Sequence, residues 1–376
     1  MNKDELIPES HMTWRSLERI LQNHSGLKAS INGGSSERIG LMQGYVSRII
    51  KVALEWSEKS DLLPNSVVLK IPSSEAMDKL GEDAAEFKEM VNNEQNLANA
   101  HNTECAFYKG AIVMEDLTNV GYANDVWELA NLPLVEDVAK ALASLHALTL
   151  RERDWLTNDK LNTTFAALME PKQMEATLQA SLAIVKSKHS SKYSAAAIER
   201  IENSVADIGD LFETRLDAEL GMPVVMVQGD CRISNMIVRK DAGGVERLVA
   251  LIDWQVVHPG SVCEDLSRFL AHSVGPTVRQ KTGEVLKLYY ESLEAELVTS
   301  GQRPPFSFQQ LDKAYRVFFK QSALLGTACM PALMDAEAVF ERCTDVKAAR
   351  QKLAENANAT IEELIAVERG DTPWDY

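Results

Sequence analysis

Three polar residues close short apolar runs in the second half of the chain, and their types suit phosphate and metal chemistry. In "VVMVQGDCRISNMIVRK" (224–240), Val224 to Val227 precede Gln228-Gly229-Asp230, and Met236 to Val238 follow Asn235. A further run, "RLVALID" (247–253), ends on Asp253. The glycine-rich "RKDAGGVE" between the last two runs predicts a hairpin, which sets Asn235 and Asp253 on neighbouring strands. Oxygen ligands of this kind suit Mg²⁺, which takes few protein ligands and completes its shell from substrate phosphates. Asp230, at the head of the loop, is free to accept a proton from a hydroxyl or to orient it. That is the division of labour of phosphoryl transfer. A single Asp or Asn at a turn usually does no more than hydrogen-bond the local backbone. D-x-x-x-x-N followed by a strand ending in I-D-W is a joint pattern that this bland reading explains poorly.

The elements that must hold these residues read as an α+β chain. Residues 1–30 are predicted helical, with Trp14, Leu17, Ile20 and Leu21 at helical spacing, and form an N-terminal extension. "INGGSSERIG" breaks that pattern. "YVSRIIKVALEW" and "NSVVLKIP" are predicted antiparallel strands. A helix is expected over 74–108, with Phe87, Met90, Val91, Leu97 and Ala98 on one side, and "AIVMED" (111–116) reads as a strand. From about residue 119 the texture turns helical: "PLVEDVAKALASLHALTL" (133–150) is amphipathic, and 165–220 is helical with breaks near Pro171 and at "SKHSSKYS". The three strands of the catalytic segment follow, and helices resume at Glu264. A strand-rich lobe over 31–118 therefore precedes a larger helical lobe over 119–376.

Bulk properties narrow the partners. At 376 residues, two lobes or domains are expected. The formal net charge of −16 disfavours nucleic acid, since the phosphate backbone needs a basic face. A cationic or neutral small molecule suits an acidic protein better. Five scattered cysteines with no C-x-x-C pair fit a reduced intracellular protein. The N-terminus carries no apolar signal region, and no apolar run approaches the ~18 residues of a membrane span. The expected location is the cytoplasm, with no membrane partner.

"QGDCRISNMI" followed by "LIDWQVVHPGSVCEDLSRFL" resembles the catalytic segment of the aminoglycoside phosphotransferase and choline kinase superfamily. The "IDWQ" and "EDLSRFL" pieces are most similar to its choline/ecdysteroid-kinase-like branch, abundant in insects and nematodes. The resemblance spans roughly residues 35–330 and implies a two-lobed protein-kinase-like fold using ATP and Mg²⁺. It implies Asp230 as catalytic group and Asn235 and Asp253 as metal ligands, with Asp265-Leu266 opening the following helix. In the first lobe it implies Lys70 in "VVLKI" as the phosphate lysine. "HNTECAFY" selects Glu104 as its carboxylate partner; on chemistry alone Glu86, Glu89 and Glu94 are alternatives. Gly40, Gly44 and Ser47 fall in the turn over the phosphates, and the backbone of Glu115 to Leu117 would meet the adenine edge. His146 reads as a satisfied core histidine and Trp254 as packing.

Two departures bear on activity. Gln228 stands where the family has histidine; glutamine both donates and accepts hydrogen bonds, so the scaffold role can persist. Val113 follows Glu104 by only nine positions, so the first lobe is expected to lack one strand. That loss would leave the helix bearing Glu104 loosely anchored. The reading is an ATP- and Mg²⁺-dependent kinase acting on a small-molecule hydroxyl. The alternative is a kinase-like module that binds nucleotide without turnover. A metal-dependent hydrolase lacks the additional ligands such sites need, and a protein kinase proper lacks the H-R-D, D-F-G and A-P-E set.

Overall fold

The computed structural model describes residues 1–40, 47–73, 75, 94–107, 112–161, 171–206, 208 and 220–375. It divides into two compact units, Met1–Lys79 with Tyr108–Val120 and Leu80–Phe107 with Gly121–Tyr376.

In the first unit, helix α1 (Trp14–Ser25) starts at Thr13, whose side chain accepts from the Ser16 N–H, and stops at Gly26 in the left-handed region. An antiparallel sheet follows in the order β1 (Ile31–Ile39), β2 (Ser47–Trp56), β3 (Ser66–Pro72), β4 (Val113–Glu115). The predicted strands are present, but "INGGSSERI" is strand β1 rather than a break. Its glycines mark close approach instead of a turn: a Cβ on Gly34 would lie 2.5 Å from the Ala53 carbonyl oxygen and 2.8 Å from the Trp14 ring. Residues 1–30 are likewise no appendage. Ile7, Trp14, Leu17 and Leu21 share one buried cluster with Ile31, Ile50, Val52, Leu54, Val67 and Leu69, because α1 covers the apolar face of the sheet. The buried Glu18 carboxylate clips the two together by accepting from the Ile31 N–H at 2.6 Å. Among the described residues β3 pairs directly with β4, and no strand lies between helix α2 (Glu94–Phe107) and β4.

Helix α2 groups with the second unit, a difference from the expected boundary. Of its predicted apolar stripe, Phe87, Met90 and Val91 lie outside the described residues. Ala98 is exposed, and the buried positions are Ala100, Thr103 and Glu104. Helix α3 (Leu132–Arg151) is capped by Asn131 and buries Leu134, Val138 and Leu142 at fourfold spacing. Helices α4 (Pro171–Ile184) and α5 (Ala195–Glu202) follow. Two short antiparallel ladders come next. One joins β5 (Tyr122–Ala123), β7 (Met236–Lys240) and β8 (Glu246–Leu251); the other joins β6 (Val225–Val227) and β9 (His258–Gly260). Helices α6 (Glu264–Ser273), α7 (Thr282–Val298), α8 (Phe308–Asp335) and α9 (Val346–Glu368) complete the unit. By length and composition α8 could cross a membrane, contrary to the sequence reading. Yet 76% of its apolar window is buried inside the protein, as a core helix requires.

Candidate active site

The loop after β6 is fixed by glycine and by carboxylate capture. Gly229 sits at φ +89°, and a Cβ there would lie 2.3 Å from the Val256 carbonyl oxygen. Only glycine fits both the angle and the gap. The N–H groups of Gln228 and Gly229 donate to the two oxygens of Asp265, at 2.7 and 2.9 Å. Asp265 belongs to the first turn of α6, where the helix dipole favours an anion. Further along, the Ile233 N–H donates to Ser273 Oγ at 2.9 Å. The loop therefore hangs from both ends of α6.

Asp230 is less free than the sequence implied. Its Oδ2 accepts from Arg232 Nε at 3.0 Å and from Asn235 Nδ2 at 2.9 Å. Asn235 Nδ2 also donates to the Asp230 carbonyl oxygen, and Arg268 hydrogen-bonds the Gly229 carbonyl oxygen while lying 3.9 Å from Asp230 Oδ1. These donors hold Oδ2, while Oδ1 has Arg268 at 3.9 Å. The five-residue spacing thus has a local purpose: one helical turn, Ile233–Asn235, returns the carboxamide to the carboxylate that began the loop.

Asn235 and Asp253 come together through the β7–β8 register. Met236 pairs with Leu251, and the Ile252 N–H donates to the Asn235 carbonyl oxygen at 3.0 Å. Asp253 follows at φ +64°, in the left-handed region that Asp tolerates better than most side chains. Gln228 supports this bend. Its Nε2 donates to the carbonyl oxygens of Ile252 (3.0 Å) and Asp253 (2.6 Å), and its Oε1 accepts from the Asp230 N–H (2.9 Å). A neutral imidazole has one donor and one acceptor, whereas this amide uses two donors and one acceptor. The departure from histidine keeps a strap between the 228–235 loop and the Ile252–Asp253 bend.

The donor set fits Mg²⁺. With its amide hydrogens committed to Asp230, Asn235 offers Oδ1, and Asp253 offers a carboxylate. Among the described residues no group of three His, Cys, Asp or Glu could hold a metal ion.

Behind the loop lies a buried ionic group that the sequence reading did not find. His258 pairs with Val227 across β6–β9. Its Nδ1 faces the Val256 carbonyl oxygen at 2.7 Å and its Nε2 faces Glu264 Oε1 at 3.1 Å. With an acceptor at each ring nitrogen, the imidazolium satisfies both. Burial opposes that charge, but Glu264 outweighs it and raises the His258 pKa. Burial likewise opposes the Glu264 anion, and His258 overcomes it and lowers that pKa. Burial pushes Asp265 up to about 6, against the N–H bonds from Gly229 and Gln228. The signal available in sequence was the "HPG…ED" spacing beside the recognised motif.

Glu104 is buried, and its Oε1 accepts from the Trp254 N–H at 3.3 Å. Helix α2 is therefore tied to the residue after Asp253 rather than loosely anchored. His146 is fully buried, bonded through Nδ1 to the Tyr289 hydroxyl at 2.7 Å, and burial lowers it to about 3; it is a neutral core histidine but not the fully satisfied one expected, since its buried Nε2 has no partner among the described residues.

In the first unit Lys70 pairs with Ile49 on β2 and is buried, at 7% exposure, rather than reaching to solvent. Gly40, at φ +62°, follows β1 and Ser47 begins β2, so both flank the β1–β2 connection. Gly44 lies outside the described residues. Glu115 ends β4 opposite Val67, and Leu117 follows it. The organiser of this stretch is Asp116, which sequence reasoning passed over. It accepts from Ser66 Oγ (2.5 Å) and from Thr118 N and Oγ1 (3.0 and 2.6 Å), and pairs with Lys51 (3.0 Å). Burial works against its charge, but these bonds prevail and hold its carboxyl well below the usual range.

Comparison with known proteins agrees with this architecture. The model of the DUF1679 family, described as "Uncharacterized oxidoreductase dhs-27", matches residues 3–120 and 108–370. The chain is 26% identical over 223 residues to the Caenorhabditis elegans protein of that description, covering 57% of this chain and 26% of that protein. It is 28% identical over 123 residues to the "Uncharacterized kinase-like protein D1044.1" of the same organism, covering 32% of this chain and 31% of that one. The chain thus spans less than a third of the length of either relative. Among solved structures, a choline kinase from Cryptosporidium parvum Iowa II superposes with a TM-score of 0.50 at 13% identity, over 95% of this chain and 98% of that one. The fold is protein-kinase-like.

Proposed function

The chain belongs to the DUF1679 family, and from that membership and the loop geometry we propose that it is a kinase transferring the γ-phosphoryl of ATP, with Mg²⁺, to a hydroxyl of a small molecule. One observation carries the reading: Asn235 donates to Asp230 through its side chain while its backbone pairs with Ile252, so D-x-x-x-x-N and I-D-W converge on one site. Asp230 Oδ1 orients the acceptor hydroxyl. Asn235 and Asp253 hold the metal ion, which when bound neutralises charge on the phosphates. In the first unit Lys70 contacts phosphate, Gly40, Gly44 and Ser47 cover it, and the backbone from Glu115 to Leu117 meets the base. Glu104 is the carboxylate assigned to Lys70. Arg232 and Arg268 beside Asp230 favour an acceptor with no positive charge near its hydroxyl. That refines the acceptor class drawn from net charge alone.

The word "oxidoreductase" describes a protein of which this chain matches about a quarter. The strand ladders described here are all antiparallel, whereas a dinucleotide-binding fold is built on a parallel sheet. A non-catalytic module is the remaining rival, and the intact Gln228 strap removes one of its motives. All five cysteines are unbridged, in keeping with a cytoplasmic location.

The test is a metabolite extract incubated with protein and Mg²⁺-ATP, read by mass spectrometry for phosphate-sized gains. Wild type should yield a product ion, and Asp230→Asn should lower its rate about 10²–10⁴-fold while nucleotide still raises the melting temperature. No product from any extract, with the nucleotide shift intact, would favour the module that binds without turnover.

A further inference from the structure

A second site lies in the helical unit, on elements that the catalytic loop does not use. A cleft of 410 Å³ is lined by His189, Lys192, Val346, Lys347, Arg350 and Gln351 together with Ala354. That volume is in the range of small-molecule sites. Its walls are a π-helical turn, Val185–His189, with the turn Ser190–Lys192 after it, and the start of α9. π-Helical turns are rare and concentrate at functional positions. The two walls are clamped, because the Ser194 N–H donates to Asn358 Oδ1 at 2.8 Å.

The charge of this cleft runs against that of the whole protein. The chain carries −16, yet four of the lining side chains are Lys, Arg or His. Among the described residues, Lys192, Lys347 and Arg350 have no acidic partner within 4 Å, while most other cations near the cleft do. Lys188 and His189 both pair with Asp335 at 3.0 Å, and Lys352 pairs with Glu128 at 3.0 Å. Arg350 is held over the Phe340 ring at 5.1 Å, and its Nε is buried with no hydrogen-bond acceptor among the described residues. Val346 and Lys347 also belong to the first turn of α9, whose dipole adds positive potential; the opposing acid there, Asp345, is engaged in capping Ala348 N.

We propose that this cleft binds a small phosphate-bearing anion, a phosphomonoester or diphosphate, between Lys192, Lys347 and Arg350. Nucleic acid and anionic membrane surfaces are disfavoured by the acidity of the rest of the molecule, and the cleft has the size of a single small ligand. The inference does not depend on the phosphoryl-transfer reading.

The test is calorimetric titration of the full chain with inorganic phosphate and with pyrophosphate, without Mg²⁺, at low and high NaCl. Wild type should show one saturable site that weakens as salt rises. Arg350→Gln should weaken it at least about tenfold, the loss expected for one charge-assisted hydrogen bond. The double variant Lys192→Gln/Lys347→Gln changes only exposed side chains and should do the same, so a folding defect at Arg350 cannot decide the matter. Lys140→Gln, on an exposed face of α3, should bind like wild type. Absence of saturable heat with either anion overturns the proposal. So does binding that survives both cleft variants.

Discussion

Replacing Gln228 probes the strap that joins the 228–235 loop to the Ile252–Asp253 bend. Gln228→Ala deletes the bonds to the Ile252 and Asp253 carbonyl oxygens and the bond from the Asp230 N–H. Gln228 is 1% exposed, so water does not readily take over. At about 1 kcal/mol net for each bond the loss is about 3 kcal/mol, rising where a buried group stays unpaired. In a unit of this size that lowers Tm by about 5–10 °C. Gln228→His restores one donor and the acceptor, so its Tm should fall between the two. It also introduces a titratable imidazole where the natural protein has a neutral amide. Calorimetric scans of the three proteins at pH 5.5 and 8 provide the assay, with the Mg²⁺ dependence of ATP binding measured alongside. An alanine variant melting within about 1 °C of wild type, with unchanged Mg²⁺ dependence, refutes the reasoning: these bonds would then contribute nothing to holding Asp253 in place.

Gly229→Ala forces a Cβ to 2.3 Å from the Val256 carbonyl oxygen at φ +89°, so urea unfolding should show a loss above about 2 kcal/mol, and a wild-type midpoint contradicts the packing argument. Asp253→Asn keeps a residue that tolerates φ +64°, so Tm should hold while a Mg²⁺ titration of ATP binding shifts to higher metal; an unshifted titration moves the ligand role to another carboxylate. For pH, the raised His258 stabilises the fold fully below its ordinary 6.5 and loses that contribution as pH rises through its folded value. The lowered Glu264 stabilises above its ordinary 4.5 and loses that contribution as pH falls through its folded value. Asp265, raised to about 6, adds a penalty that grows as pH climbs from about 4 to 6. Urea midpoints should therefore decline from pH 6 to 9 in wild type and much less in His258→Gln; parallel declines in both proteins rule the pair out as the source.

The sequence by itself determined the local layout of residues 224–253 and most of the elements around them. Asp230, Asn235 and Asp253 were legible because apolar runs, a glycine-rich turn and oxygen side chains fall at short fixed spacings, and hairpin pairing is a local property. Helix α3 was legible for the same reason, since its buried Leu134, Val138 and Leu142 repeat with the helical period. What needed the tertiary structure is what depends on distant neighbours. Strand β1 looked like a break, because Gly34 takes its meaning from Ala53 and Trp14 across the sheet. Residues 1–30 looked like an extension, because nothing in α1 reveals which sheet it covers. Asp230 looked free, because its partners Arg232 and Arg268 act through a loop path and a helix that spacing does not show. Glu104 meets Trp254, and His258 meets Glu264, through ladders and packing that close only after the chain has folded. Periodicity and turn chemistry are written within a few residues. Burial, charge pairing and the strain accepted at Asp253 are set by what arrives from elsewhere in the chain.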